Sequence, residues 1–229
     1  MNIAIMGAMP EEIAPLLEKV GSYEMQEYAG NKYYTATYAG HNLVIAYSKI
    51  GKVFSTLTAT TMLQHFGAEV LLFSGVAGAI NPKLKIGNLI AATKLAQHDL
   101  DITAFGHPHG FVPEGKVFVE ADANLVSKAK EVALEMGLEL MEGTIATGDQ
   151  FVADKARNEW IGETFGADAL EMEGASVACV CDAMNVPFFI LRAISDAADM
   201  DASFSFDEFL ESSAVESANF IIKMVEKLG

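Results

Sequence analysis

The sequence predicts an α/β fold, a single domain over residues 1–229 built on a central twisted mixed β-sheet flanked by helices on both faces. Three observations predict it. Short apolar runs of strand length alternate with longer segments of helical period, as in sheets covered on both sides. Several apolar runs stop abruptly at an acid, which puts a charge at the rim of a sheet. No internal repeat, Ser/Pro linker or block of charge divides the chain.

Taken in order, residues 2–6 read as a first buried strand. Pro10 then sits where a first helical turn tolerates it, and Ile13, Leu16, Leu17 and Val20 give that helix an apolar face. Residues 32–38 and 43–48 read as strands around the turn Ala39-Gly40-His41-Asn42, followed by a helix over about 52–66 and a strand over 69–74. The next segment, Gly75-Val-Ala-Gly-Ala79, is too glycine-rich to start a helix without a reason. A strand is expected at 88–95, and periodicity then fails from 97 to 116; a loop that long in a compact domain is usually functional. The pattern resumes with a helix at 123–136, a strand at 140–147, a loop at 148–152 and a helix at 154–165. A strand at 167–172 runs into a helix at 175–184, and 187–194 is an apolar strand broken only by Arg192. Ser205 and Glu208 form a capping box for a last helix, whose stripe is Phe209, Leu210, Ala214, Ala218, Ile221, Ile222, Val225 and Leu228.

Hydrophobic residues make up 51% of the chain, enough for a substantial core. The 15 basic and 31 acidic residues give a net charge of −16, which repels nucleic acid and anionic membranes. Cys179 and Cys181 read as buried thiols of a reducing compartment. The N-terminus lacks a basic n-region and its apolar run meets Glu11, so no signal peptide is expected. The apolar stretch 70–80 is too short to cross a bilayer. A soluble, cytoplasmic protein is expected.

The informative acids end three runs: Gly7-Ala8-Met9-Pro10-Glu11-Glu12, Ala169-Leu-Glu-Met-Glu173-Gly174 and Leu191-Arg-Ala-Ile-Ser-Asp196. Ligands bind at such rims, and three acids meeting over one cleft suit proton transfer and stabilisation of a cation better than phosphate. Each has an ordinary reading beside this one. Glu11 and Glu12 complement a helix dipole, and Asp196 fits a helix N-cap. A sheltered Glu173 needs a partner, for which Arg192 is the natural candidate. Gly75 and Gly78 lack the pattern of a phosphate loop. His98, Asp99, Asp101, His107 and His109 suggest metal ligands, but no helical spacing organises them, and no metal or cofactor is expected. Phe151 and Phe206 sit where an aromatic is free to line a pocket.

In sequence order, Ile5-Met-Gly-Ala-Met-Pro-Glu-Glu12, Ser48-Lys-Ile-Gly-Lys52, Ser74-Gly-Val-Ala-Gly78, Asp101-Ile-Thr-Ala-Phe105, Thr147-Gly-Asp-Gln-Phe151, Glu171-Met-Glu173, Arg192-Ala-Ile-Ser-Asp196 and Ser205-Phe-Asp-Glu-Phe209 resemble the nucleoside phosphorylase/hydrolase superfamily. Within it they are most similar to the nucleosidases of adenosine thioethers. The resemblance implies hydrolysis of the N-glycosidic bond of 5′-methylthioadenosine and S-adenosylhomocysteine, releasing adenine in methionine salvage. It implies that Asp196, positioned by Ser195, protonates N7 of the purine while Glu12 takes a proton from water. Met172 and Glu173 would hold the ribose, with Arg192 orienting Glu173, and Phe151 and Val152 would read adenine. Gly78 would line the base or water side, Phe206 would cover the sugar, and Ile50 would line the alkylthio pocket. A homodimer is implied, in which Ile102, Phe105, His107 and Pro113 enter the partner's site. His107 and Val76 depart from members that carry tyrosine and serine there. Relatives that hydrolyse 6-amino-6-deoxyfutalosine in menaquinone biosynthesis give a second enzyme reading, and a non-catalytic nucleoside-binding protein gives a third.

Overall fold

Strand β1 (Asn2–Gly7) carries no polar face because neither face meets water; it lies between β4 (His41–Tyr47) and β5 (Val70–Ala79), parallel to both. The computed structural model describes residues 1–197 and 202–229, with backbone alone for 197 and 202–208. The residues of β1 divide by the two-residue period of a strand. Ala4 and Met6 join a core with Ala59 and Met62 of α2 (Lys52–Gln64) and with Val177, Ala178 and Cys181 of α5 (Gly174–Met184). Ile3 and Ile5 join a second core with Leu16 of α1 (Pro10–Val20), Val132 of α3 (Ala123–Met136) and Phe220 and Ile221 of α6 (Ala202–Lys227). Each fully buried Ile or Leu contributes about 1.5–3 kcal/mol. Burial on two faces therefore fixes the layers more firmly than local propensity does.

Outward from β4 the sheet continues antiparallel through β3 (Asn31–Tyr38) and β2 (Glu24–Tyr28). On the other side, β5 pairs with both β10 (Phe188–Ala197), parallel, and β9 (Ala169–Glu171), antiparallel. From β10 the pairing passes to β6 (Leu89–Gln97), then to β8 (Leu140–Thr147) and back to β9. Five strands thus close on themselves while the rest of the sheet stays open. A small third core of Ala146, Ile161, Phe165 and Leu170 lies under α4 (Lys155–Phe165).

Several boundaries differ from expectation for physical reasons. β5 does not stop at Ser74 but runs on through Gly75 and Gly78 to Ala79. β2 and the short β7 (Phe118–Glu120), which pairs with β6, had no apolar signal, since β2 is exposed throughout and β7 buries one residue. The last helix begins at Ala202, so Ser205 lies inside it and not at its cap; the side chains of Ser205, Phe206 and Glu208 are outside the described residues. Cys179 and Cys181 are free thiols, and burial pushes Cys181 up to about 12.

Candidate active site

The chain turns sharply where β1 ends. A Cβ on Gly7 would sit 2.9 Å from Ile13 Cγ2 and 3.0 Å from Glu12 Cβ, so no larger residue fits that turn. Glu12, in the first turn of α1, bends back so that Oε2 accepts from the N–H of Ala8 and of Met9 (3.2 Å). Its Oε1 accepts from the N–H of Val76 on β5 at 3.2 Å. The bond to Met9 caps the helix, the ordinary role open to an acid there. Yet the carboxyl is buried beside a cavity, and burial holds its pKa above the usual range against the pull of Arg192 and the three N–H groups.

Asp196 is not a helix cap; it lies near the end of β10, after a register shift in which Ile194 pairs with Ala77 and Asp196 with Gly78. Such a bulge re-aims side chains. Ser195 Oγ donates to Asp196 Oδ1 at 3.0 Å. A Cβ on Gly78 would come 2.9 Å from Asp196 Oδ2, so the absent side chain is what admits the carboxyl. Burial raises the pKa of Asp196, and the Ser195 hydroxyl opposes that rise.

The third acid corrects an expectation. Arg192 does not orient Glu173 by direct pairing: its Nη2 donates to Glu171 Oε2 at 2.6 Å, both groups being buried. β9 ends at Glu171, and the chain then bends into α5, so Glu173 does not follow Glu171 to the same partner. Glu173 instead accepts from the N–H of Gly51 at 2.8 Å through Oε1. Burial, then the neighbouring Glu171 charge, raise Glu173 to about 8; Arg192 and the Gly51 N–H work against this and Glu12 adds to it.

The loop after β8 supplies the remaining wall. Asp149 accepts from the Lys52 N–H at 2.7 Å and donates its own N–H to Asp99 at 2.8 Å, while Lys52 Nζ lies 2.7 Å from Asp99. These bonds tie the loop to α2 and β6. His98 packs beneath Gly148, where any Cβ would overlap its ring, and faces Arg157. His107 stacks on Phe111, and His109 lies 3.8 Å from Asp101. The histidines and aspartates of this region are thus dispersed, and among the described residues no group of three or more potential ligands is placed to hold a metal ion.

A cavity of about 310 Å³ opens between these elements, within the range of small-ligand sites. Glu12, Glu173, Asp196 and Ser195 line it together with Gly78 and Met172. Phe151, Val152 and Ile50 complete the mouth, Phe151 being 53% exposed. Arg192 does not line it, and neither do Ile102, Phe105, His107 or Pro113. Phe206 lies outside the described side chains. The groups not foreseen are Glu171, which lines the cavity, and the backbone N–H donors of Ala8, Met9, Gly51 and Val76. Glu171 was visible as an acid ending a strand, whereas backbone donors leave no mark in a sequence. Among the described residues four carboxyls and no Lys or Arg line this apolar cavity, an arrangement fitted to move protons and to favour a developing cation.

A family model described as the phosphorylase superfamily matches residues 2–226. The chain is 60% identical over 228 residues to the aminodeoxyfutalosine nucleosidase of Campylobacter jejuni, covering 100% of both chains. It is 38% identical over 231 residues to the 5′-methylthioadenosine/S-adenosylhomocysteine nucleosidase of Anoxybacillus flavithermus, again covering 100% of both. The crystal structure of the Campylobacter jejuni 5′-methylthioadenosine/S-adenosyl homocysteine nucleosidase superposes with a TM-score of 0.97 at 61% identity over 99% of each chain.

Proposed function

This chain belongs to the phosphorylase superfamily, and from that premise we propose that it is a hydrolase cleaving the N-glycosidic bond of adenine nucleosides modified at the 5′ position. The substrates are 5′-methylthioadenosine, S-adenosylhomocysteine and 6-amino-6-deoxyfutalosine, each releasing adenine. The Campylobacter jejuni relatives, at 60% and 61% identity, are named for both kinds of substrate, which supports including all three.

One observation carries the reading: Glu12, Glu173 and Asp196 face one cavity that, among the described residues, no cationic side chain lines. Purine departs as an anion while the sugar becomes cation-like, so an acid on the base and a base on the water each supply roughly 10²–10⁴-fold. Asp196, steadied by Ser195, donates to N7, and Glu12 accepts from the attacking water. Glu173 accepts from the 2′-hydroxyl and lends negative potential where positive charge grows. Met172 borders the ribose, Phe151 and Val152 the adenine, Gly78 the base side and Ile50 the 5′ substituent. The logic parallels the two-carboxylate glycosidases with a nitrogen leaving group.

A phosphorylase requires cations where phosphate attacks. The test is adenine release from the three nucleosides in parallel, with and without phosphate. Release in phosphate-free buffer is expected, and a strict phosphate requirement or no release from any of them would overturn the reading. The dimer belongs to the same proposal. Ile102, Phe105, His107 and Pro113 do not line this cavity in their own chain, and Phe105 is 81% exposed, as suits residues completing a second copy's site.

A further inference from the structure

Three buried glutamates, Glu12, Glu171 and Glu173, share the neighbourhood of one buried guanidinium, Arg192. Which of them receives it is settled by geometry. Glu171 accepts from Arg192 Nη2 at 2.6 Å, from the Gly174 N–H at 2.7 Å, from the Glu173 N–H at 3.1 Å and from Thr147 Oγ1. Among the described residues Glu173 receives a single donor, the Gly51 N–H at 2.8 Å. Arg192 is held on its other sides by the Leu191 carbonyl at 3.2 Å and the Phe73 ring at 4.1 Å, while its Nε has no partner.

Arg192 is also within easy reach of a second acid. The point where a Cβ on Gly75 would lie is 3.0 Å from Glu12 Oε1 and 3.1 Å from Arg192 Nη1. The two groups flank one gap, and the bond of Nη2 to Glu171, with that of Nη1 to the Leu191 carbonyl, holds the guanidinium short of an ion pair with Glu12. We infer that Glu171 is a positioning residue for the proposed hydrolysis: it sequesters Arg192 and anchors the N–H of Glu173, leaving Glu12 and Glu173 free to accept from water and sugar. The inference rests on the nucleosidase reading.

Removing the charge should release Arg192 onto Glu12 or Glu173. A carboxylate paired with a guanidinium within about 4–6 Å keeps its charge to lower pH by 1–3 units, and it is a weaker acceptor. The groups facing Glu173 are Glu171, Arg192, Glu12 and the Gly51 N–H; those facing Glu171 are Arg192, Thr147 and, at longer range, His98. Loss of the Glu171 charge itself also lowers Glu173, in the same direction as the released Arg192.

The experiment is the pH profile of kcat/KM for adenine release by wild type, Glu171→Gln and Thr147→Val. Glu171→Gln is expected to move the acidic limb down by about one unit or more and to lower kcat at least tenfold. Thr147→Val removes one donor to Glu171 but leaves its charge, so its rate changes while its limb stays. If Glu171→Gln is not recovered folded, as judged by thermal melting, Glu171→Asp serves, since its shorter reach weakens the Arg192 bond and gives a smaller shift in the same direction. A limb that stays or rises, or one that moves as far in Thr147→Val, overturns the inference. An inactive wild type would instead sink the nucleosidase reading, so the two failures are separable.

Discussion

At the scale of single residues, Asp196 has the hardest task. A carboxyl with an ordinary pKa of about 3.9 is ionised at neutral pH, and holding its proton there requires a rise of about three units, or ~4 kcal/mol. Burial pushes its pKa in that direction, against the Ser195 hydroxyl. In the proposed mechanism the active form is protonated Asp196, so activity is present below its pKa and lost as pH climbs through it. Asp196→Asn should therefore lower kcat roughly 10²–10⁴-fold and flatten the alkaline side of what remains, read from a pH–rate profile. Near-wild-type turnover would show that another group protonates the purine. The acids were legible because a charge that stops an apolar strand is conspicuous. The partner of Arg192 was not. Glu171 and Glu173 are equivalent by spacing, and only the bend after β9 sends one of them to the guanidinium.

At the scale of elements, β5 does the most to shape the cavity. It was legible as a strand up to Ser74, where its glycines broke the hydrophobic signal. They do not break the strand; they let it pass close to Glu12, Arg192 and Asp196. The bulge between Ile194 and Asp196, which fixes Asp196 opposite Gly78, arises from pairing with β5 and has no local signature. Gly78→Ala tests this directly, because its Cβ would lie 2.9 Å from Asp196 Oδ2 and the carboxyl must give way. A misplacement of about 1 Å costs on the order of 10²-fold, so kcat should fall at least tenfold. The melting temperature should change little, since an extended strand accepts alanine. Unaltered kcat would mean that the carboxyl has slack and that Gly78 is not needed for its placement. The edge strands β2 and β7 escaped notice for the opposite reason, because they bury too little to require a pattern.

At the scale of the whole molecule, alternating apolar runs and amphipathic helices made the two-faced sheet legible. The closure of β5, β10, β6, β8 and β9 was not, because it depends on pairings between strands distant in sequence. That closure collects acids from β9 and β10 beside the turn after β1, yet it leaves Ile50, Val53, Phe54, Phe105 and Phe151 exposed. In the proposed dimer Phe105 serves the other copy's site, which predicts complementation. Phe105→Ala should impair binding and raise KM, and Asp196→Asn should abolish the chemistry. In a heterodimer one site then pairs an intact Asp196 with an intact Phe105, and the other carries both defects. Random exchange of equal amounts in a twofold assembly makes about half the dimers mixed, so about one quarter of sites recover. Adenine release at subsaturating substrate, measured after co-refolding the two variants, should therefore exceed the mean of the separate preparations. If Phe105 acts on its own chain's cavity, or the chain works as a monomer, mixing adds nothing beyond that mean.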